Sequence, residues 1–234
     1  MKNIEVKEAM QTISVITCTY NPNPKIFERV LRSIECQSIG NFDIEYVIVD
    51  NNSNPLVSEM PCVQAFLARN AWAKIVIEKK QGLTYARLAG ANATKGDILV
   101  FVDDDNELHP EYLKNVMYES SVYSWVGVLG PGKIKIDYCD KELPKYLKRY
   151  EGAFAVRNFD VPQYVKMKTL PLSIFPQGNG QVIRRNIFSM YADYFLRSNS
   201  SITDRAGNSL SSWGDIQIDW VCIKHGYAVG VFPS

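Results

Sequence analysis

The 234-residue sequence predicts an α/β fold built on a parallel sheet. Three observations carry that prediction. Short β-rich runs alternate with helical-period segments through the first half. The runs are near-continuously apolar, as strands covered on both faces are. Carboxylates and amides stand just after the runs, where open parallel sheets gather their ligands.

The elements follow in order. Residues 13–19 (ISVITCT) read as a buried strand, and Pro22 and Pro24 punctuate the turn after it. Apolar residues at 26, 27, 30, 31 and 34 recur at helical spacing, which predicts an amphipathic helix over 25–37. Residues 44–49 (IEYVIV) form a second strand ending at Asp50. A helix around 57–71 leads to a third strand at 74–78. Residues 84–93 read as a helix, and 97–102 (DILVFV) as a fourth strand that runs into Asp103, Asp104 and Asp105. Pro110 suits the first turn of a helix over 111–119. The second half is less regular. Gly130-Pro131-Gly132 reads as a turn, and 133–168 mixes short helical and polar segments with no clear order. Residues 177–184 (QGNGQVIR) read as a strand with a glycine-loosened start. Residues 187–196 and 216–224 look helical, and AVGVFPS closes on a strand.

Lysine plus arginine (26) nearly balance aspartate plus glutamate (25), for a net charge of +1. No basic run stands out, so no nucleic-acid partner is expected. The five cysteines (18, 36, 62, 139, 222) form no CxxC pair, and the expectation is reduced, mostly buried thiols in a cytosolic protein. With no signal-peptide core and no membrane-length apolar stretch, the reading is a cytoplasmic protein, with peripheral contact at the inner face of the membrane left open. The abrupt end suggests a chain with a tail missing beyond Ser234.

Asp103, Asp104 and Asp105 are the strongest chemical signal. Adjacent carboxylates after an apolar strand repel one another unless a cation balances them, and such hard oxygens suit Mg2+ or Mn2+; the plainer alternative is a solvated acidic turn. Thr19, Tyr20 and Asn21 offer a hydroxyl, an aromatic face and an amide for a base or ribose, or simply an Asn-Pro turn. Asp50 suits a base contact or a turn and helix cap. Arg87 is placed to meet a phosphate or to lie on the surface.

ISVITCTYNPNP, IEYVIVDNNS, GLTYARLAGANATKGDILVFVDDD, GNGQVIRR and DRAGNSLSSWGDIQIDWVCIKHGY, in that order, resemble the inverting family 2 glycosyltransferases of the GT-A fold. The resemblance implies a Rossmann-like nucleotide-sugar domain merged with an acceptor-binding region, as one domain over 1–234. About 10–130 would hold the donor and about 131–234 the acceptor. The family's Asp-x-Asp motif maps to Asp103-Asp104-Asp105, which implies Asp103 at ribose or metal, Asp104 at the nucleotide sugar and Asp105 at metal and diphosphate. Tyr20 and Asp50 match positions that hold the base. Ser212-Trp213-Gly214-Asp215 is similar to the acceptor-side motif, which makes Asp215 the general base, with Trp213 and Gly214 beside the acceptor. Asp215 also opens a predicted helix, where capping is its ordinary role. The family's glutamate two residues on is Gln217 here, and Asp219 stands as the alternative base. A further metal-contacting histidine has no counterpart, since His109 and His225 lie elsewhere. The implied partners are a UDP-, GDP- or dTDP-sugar and a glycan or lipid-linked saccharide acceptor in bacterial surface polysaccharide synthesis.

Three rivals stand against this reading, the first of them weak. A dinucleotide oxidoreductase needs a glycine-rich turn where the chain has TYNPNP. A Mg2+-dependent phosphotransferase leaves the YN and WGD segments unexplained. A non-catalytic sugar-nucleotide or glycan-binding module would bind without transfer.

Overall fold

The computed structural model describes residues 12–139, 144–150, 155–166, 172–197 and 214–234. Its centre is an eight-stranded sheet in the order β3-β2-β1-β4-β9-β5-β10-β8. The strands are β1 (Thr12–Thr19), β2 (Asp43–Asp50), β3 (Ala73–Ile77), β4 (Ile98–Phe101), β5 (Val126–Pro131), β8 (Gln163–Val165), β9 (Gln181–Arg184) and β10 (Ala228–Phe232). β6 (Lys133–Ile134) and β7 (Arg157–Asn158) pair separately and antiparallel. β3, β2, β1 and β4 run parallel, as do β5 and β10. β9 inserts antiparallel between β4 and β5, and β8 lies antiparallel on β10.

Local sequence explains the first half. Asn23 caps α1 (Pro24–Glu35), its side-chain oxygen accepting from the Lys25 and Ile26 amides, and Pro24 opens the helix without losing a needed donor. The helix buries Phe27, Val30, Leu31 and Ile34 as one stripe. Alternate strand residues feed two cores. Ile13, Val15, Tyr46, Ile48, Ile98 and Val100 pack under α1, α2 (Pro61–Arg69) and α4 (Tyr112–Val122). Ile16, Val47, Val49, Leu99 and Phe101 pack under α3 (Leu83–Asn92), α5 (Arg185–Arg197) and α6 (Gly214–Lys224). Helices therefore cover both faces, which is why the strands read as continuous apolar runs. Gly90 permits the close approach of α3, since a Cβ there would fall 2.4 Å from Ile16 Cγ2.

Several expectations need correction. The region read as one helix over 57–71 is a 3-10 turn, Val57–Glu59, followed by α2, because Pro61 lacks the amide that would join them. Gly130 and Pro131 do not turn; they end β5, where a Cβ on Gly130 would fall 3.0 Å from Pro176 Cα and Cβ. The thiols are not mostly buried. Cys36 and Cys139 are exposed, Cys18 and Cys62 half-buried, and only Cys222 is buried, though all five are free. Among the described residues, no helix is long and apolar enough to cross a membrane.

Candidate active site

The site forms at the carboxyl ends of β1 and β4. Asp103 and Asp104 are partly buried and Asp105 is exposed. The buried Thr19 hydroxyl at the end of β1 bonds Asp104 Oδ2 and so ties the acidic turn to the neighbouring strand. Arg87, which α3 buries, brings its Nη2 beside the two Asp103 oxygens. A Cβ on Gly178 would fall 2.9 Å from that nitrogen and 3.3 and 3.4 Å from the oxygens. A side chain on Gly178 would press on both groups.

The same glycine touches the far side of the site. Its amide donates to Asp215 Oδ2 at 3.3 Å, and Asp215 Oδ1 accepts from the Ile216 amide at 3.1 Å at the start of α6. Asp103 and Asp215, far apart in sequence, flank one loop. The loop is fixed from below by the buried Tyr112 hydroxyl, which bonds the Gly180 carbonyl, and from the sheet by the Gly180 amide on Phe101 O at 2.9 Å. Burial pushes the Asp103 carboxyl up to about 6; Arg87 opposes that rise, and Asp105, Asp104 and Asp215 add to it.

Other predicted residues fall out differently. Tyr20, which follows Thr19, is exposed. Asn21 adopts a left-handed conformation (φ 50°), which asparagine tolerates, and is locked there. Its amide donates to Ser53 Oγ at 2.9 Å, and its Oδ1 accepts from the Asn54 amide at 2.8 Å. Asp50 does not face the crevice as expected. It is fully buried, and its two oxygens accept the Ser53 and Val57 amides, each at 2.8 Å. Asn51 similarly ties the end of β2 to the carbonyls of Glu78 and Lys80 and to the Gly82 amide. Gly214 opens α6 and is buried; Trp213 lies outside the described residues. His109 and His225 are both exposed, His225 lining a groove with Met190, Asp193, Tyr194 and Arg197.

Sequence reasoning missed Gln181, Arg157 and Gly178. Gln181 and Asp219 are fully buried beneath Asp215, and Arg157 is nearly so. Asp219 therefore lacks the access that an alternative base needs.

The acidic turn has the donor chemistry of a Mg2+ or Mn2+ site. Among the described residues no three His, Cys, Asp or Glu side chains form a preassembled cage. Mg2+-type sites that serve phosphates commonly use one or two carboxylates, with substrate oxygens and water completing the shell. Asp105 and Asp103 fit that mode, and their mutual charge leaves room for a cation.

Residues 14–188 match the model of the family described as glycosyl transferase family 2. The chain belongs to that family. Among curated relatives of this family 2 chain is EpsH of Bacillus subtilis (strain 168), assigned only provisionally as a glycosyltransferase. It is 23% identical over 81% of this chain and 58% of its own. An undecaprenyl-phosphate 4-deoxy-4-formamido-L-arabinose transferase of Edwardsiella ictaluri is 27% identical over 47% of this chain and 34% of its own. The mannosyltransferase PcManGT of Pyrobaculum calidifontis, solved with GDP-Man and Mn2+, superposes with a TM-score of 0.65 at 16% identity. That match covers 97% of this chain and 56% of the mannosyltransferase. At such identity the likeness is one of fold, and it identifies the mainly parallel, helix-flanked sheet as GT-A. The chain spans less than two-thirds of the length of each of these proteins.

Proposed function

We propose that this family 2 chain transfers a sugar from a nucleotide-sugar donor to an acceptor hydroxyl, with inversion at the anomeric carbon. One observation carries the reading: the Asp103 turn and the Asp215 carboxylate flank the same glycine, so an electrostatic group and a base stand on opposite sides of one loop. Tyr20 offers the nucleobase a stacking face, and Asn21, pinned through Ser53, shapes the pocket beside it. Asp50 contributes by holding that loop. Arg87 lies within reach of a diphosphate oxygen beside Asp103.

Asp215 takes the acceptor proton as the new glycosidic bond forms on one face of the anomeric carbon. The bond to the diphosphate breaks on the other face, and the leaving oxygen keeps the electron pair. Mn2+ or Mg2+, held by Asp105 and Asp103 when bound, supplies charge neutralisation for the diphosphate. A glycan or lipid-linked saccharide acceptor is inferred, in keeping with the undecaprenyl-phosphate relative.

The test is Asp215→Asn with the donor identified first, by calorimetry across UDP-, GDP- and dTDP-sugars with Mn2+. Transfer should fall by about 10²–10⁴-fold while donor affinity holds. Retained turnover would sink the base assignment. Donor binding without transfer in the unmodified protein would favour a binding module.

A further inference from the structure

Asp219 lies one helical turn beyond Asp215, on the same face of α6. It is fully buried. Gln181 of β9, fully buried too, spans the pair: its Nε2 donates to the Asp215 carbonyl and to Asp219 Oδ1, both at 3.4 Å. Asp219 Oδ2 and Gln181 Oε1 are both left without a hydrogen-bond partner among the described residues. Two buried acceptors that no donor reaches are costly unless one of them carries a proton.

The charged and titratable groups around Asp219 are Asp215 and Cys222 on its own helix, Arg157 of β7 and Arg87 of α3. Arg157 does not bond the carboxyl. Its Nη2 donates to the Phe175 carbonyl at 2.6 Å, at the entry to the Gly178 loop, and its Nη1 has no partner among the described residues. The Cys222 thiol is pushed well up by burial and stays neutral. A buried carboxylate with no cation bonded to it keeps its proton in preference to paying for an isolated charge. Burial, and then the Asp215 charge, raise the Asp219 carboxyl well above the usual range, while Arg157, Gln181 and Arg87 oppose the rise.

We propose that Asp219 is a positioning residue that works as a neutral carboxylic acid with its proton on Oδ2, holding Gln181 and the first turn of α6 in place around Asp215. This rests on the reading of Asp215 as the base. The arrangement supports the base from below without adding another negative charge to a site that already presents Asp103, Asp104, Asp105 and Asp215 to a diphosphate.

The sign of the pH effect is fixed. The native state holds the proton more tightly than the unfolded chain does. The stability from Asp219 is therefore present below about pH 4 and is lost as pH rises through its raised native value. Asp219→Asn keeps the shape and has no proton to lose. Thermal unfolding of the wild-type chain and Asp219→Asn between about pH 5 and pH 9 should show the Asn variant gaining on wild type as pH rises. Its kcat near neutrality should stay within about fivefold of wild type, with donor Kd unchanged. Any alkaline fall of wild-type kcat that tracks Asp219 ionisation should be missing from it. In wild type, a protonated-carboxyl infrared band should persist above the pH range in which ordinary carboxyls ionise. An Asn variant that fails to fold, or that loses ground to wild type as pH rises, would make Asp219 an ionised partner of Arg157 and overturn the proposal, as would absence of the band. Retained transfer in Asp215→Asn would sink the base reading while leaving the thermal and infrared results intact, so the two ideas fail separately.

Discussion

Asp50 ends β2 and Asp103 stands just after β4, the two strands that flank β1, yet they meet opposite conditions. Asp50 is fully buried and accepts two backbone amides, one on each oxygen. Asp103 is partly buried among carboxylates, with Arg87 as the cation beside it. A carboxylate supplied with backbone donors is part of the scaffold, because its charge is spent within the fold. A carboxylate crowded by its own kind is held against its preference, and such frustration is characteristic of a site awaiting a ligand. Position at a strand end therefore does not by itself tell a scaffold carboxylate from a ligand-binding one.

The strongest way to break this comparison is Asp105→Ala. Asp105 is exposed, so the substitution should leave thermal stability unmoved. Mn2+-dependent donor affinity should fall by about a hundredfold, measured by calorimetry. Unchanged affinity with Mn2+ present would mean that the acidic turn is merely solvated surface.

Asp50→Ala should do the reverse. Two charge-assisted hydrogen bonds to buried amides are lost, for about 2 kcal/mol of stability. The melting temperature should drop by about 4–8 °C in a chain of this size. Saturating nucleotide should bind the folded fraction with affinity near wild type. A stable variant that no longer binds nucleotide would instead make Asp50 a direct ligand of the base.

The contrast also marks what the sequence made legible. From β1 to β4 the signals are local: the strands' continuous apolar runs and the α1 cap and apolar stripe announce the parallel α/β class, while GT-A came from the resemblance of the ordered motifs. Asp103 and Asp215 were readable as a pair because each sits at an element's end beside a resembling motif. Asp50's burial was not, since it depends on amides that only the folded loop presents. β9 borrows its neighbours from β4 and β5, elements far away in the chain, and no local pattern shows an antiparallel strand entering a parallel sheet. Arg157 comes from a two-residue strand, too short for any periodicity. Asp219 did carry a signal, four residues after Asp215, but spacing alone could not distinguish a second base from a buried support. Cysteine burial failed for a similar reason: an apolar neighbourhood in sequence does not say which face a side chain takes.

The smallest effect, and the sharpest on the Asp103 side, is on pH. Burial raises its carboxyl to about 6, above the unfolded value near 4. The stability it contributes is thus present below about pH 4 and lost as pH rises through about 6. Asp103→Asn should remove that part of the decline, a change of at most a few degrees in melting temperature between about pH 4 and pH 8. Mn2+ should flatten the wild-type decline as well, because a bound cation favours the ionised carboxylate and so reverses the cost of burying it. Asp103→Asn should show little of that response. If Mn2+ steadied wild type and Asp103→Asn equally, the cation would be acting elsewhere. The crowding of carboxylates at the end of β4 would then be a cost of the fold with no ligand to relieve it.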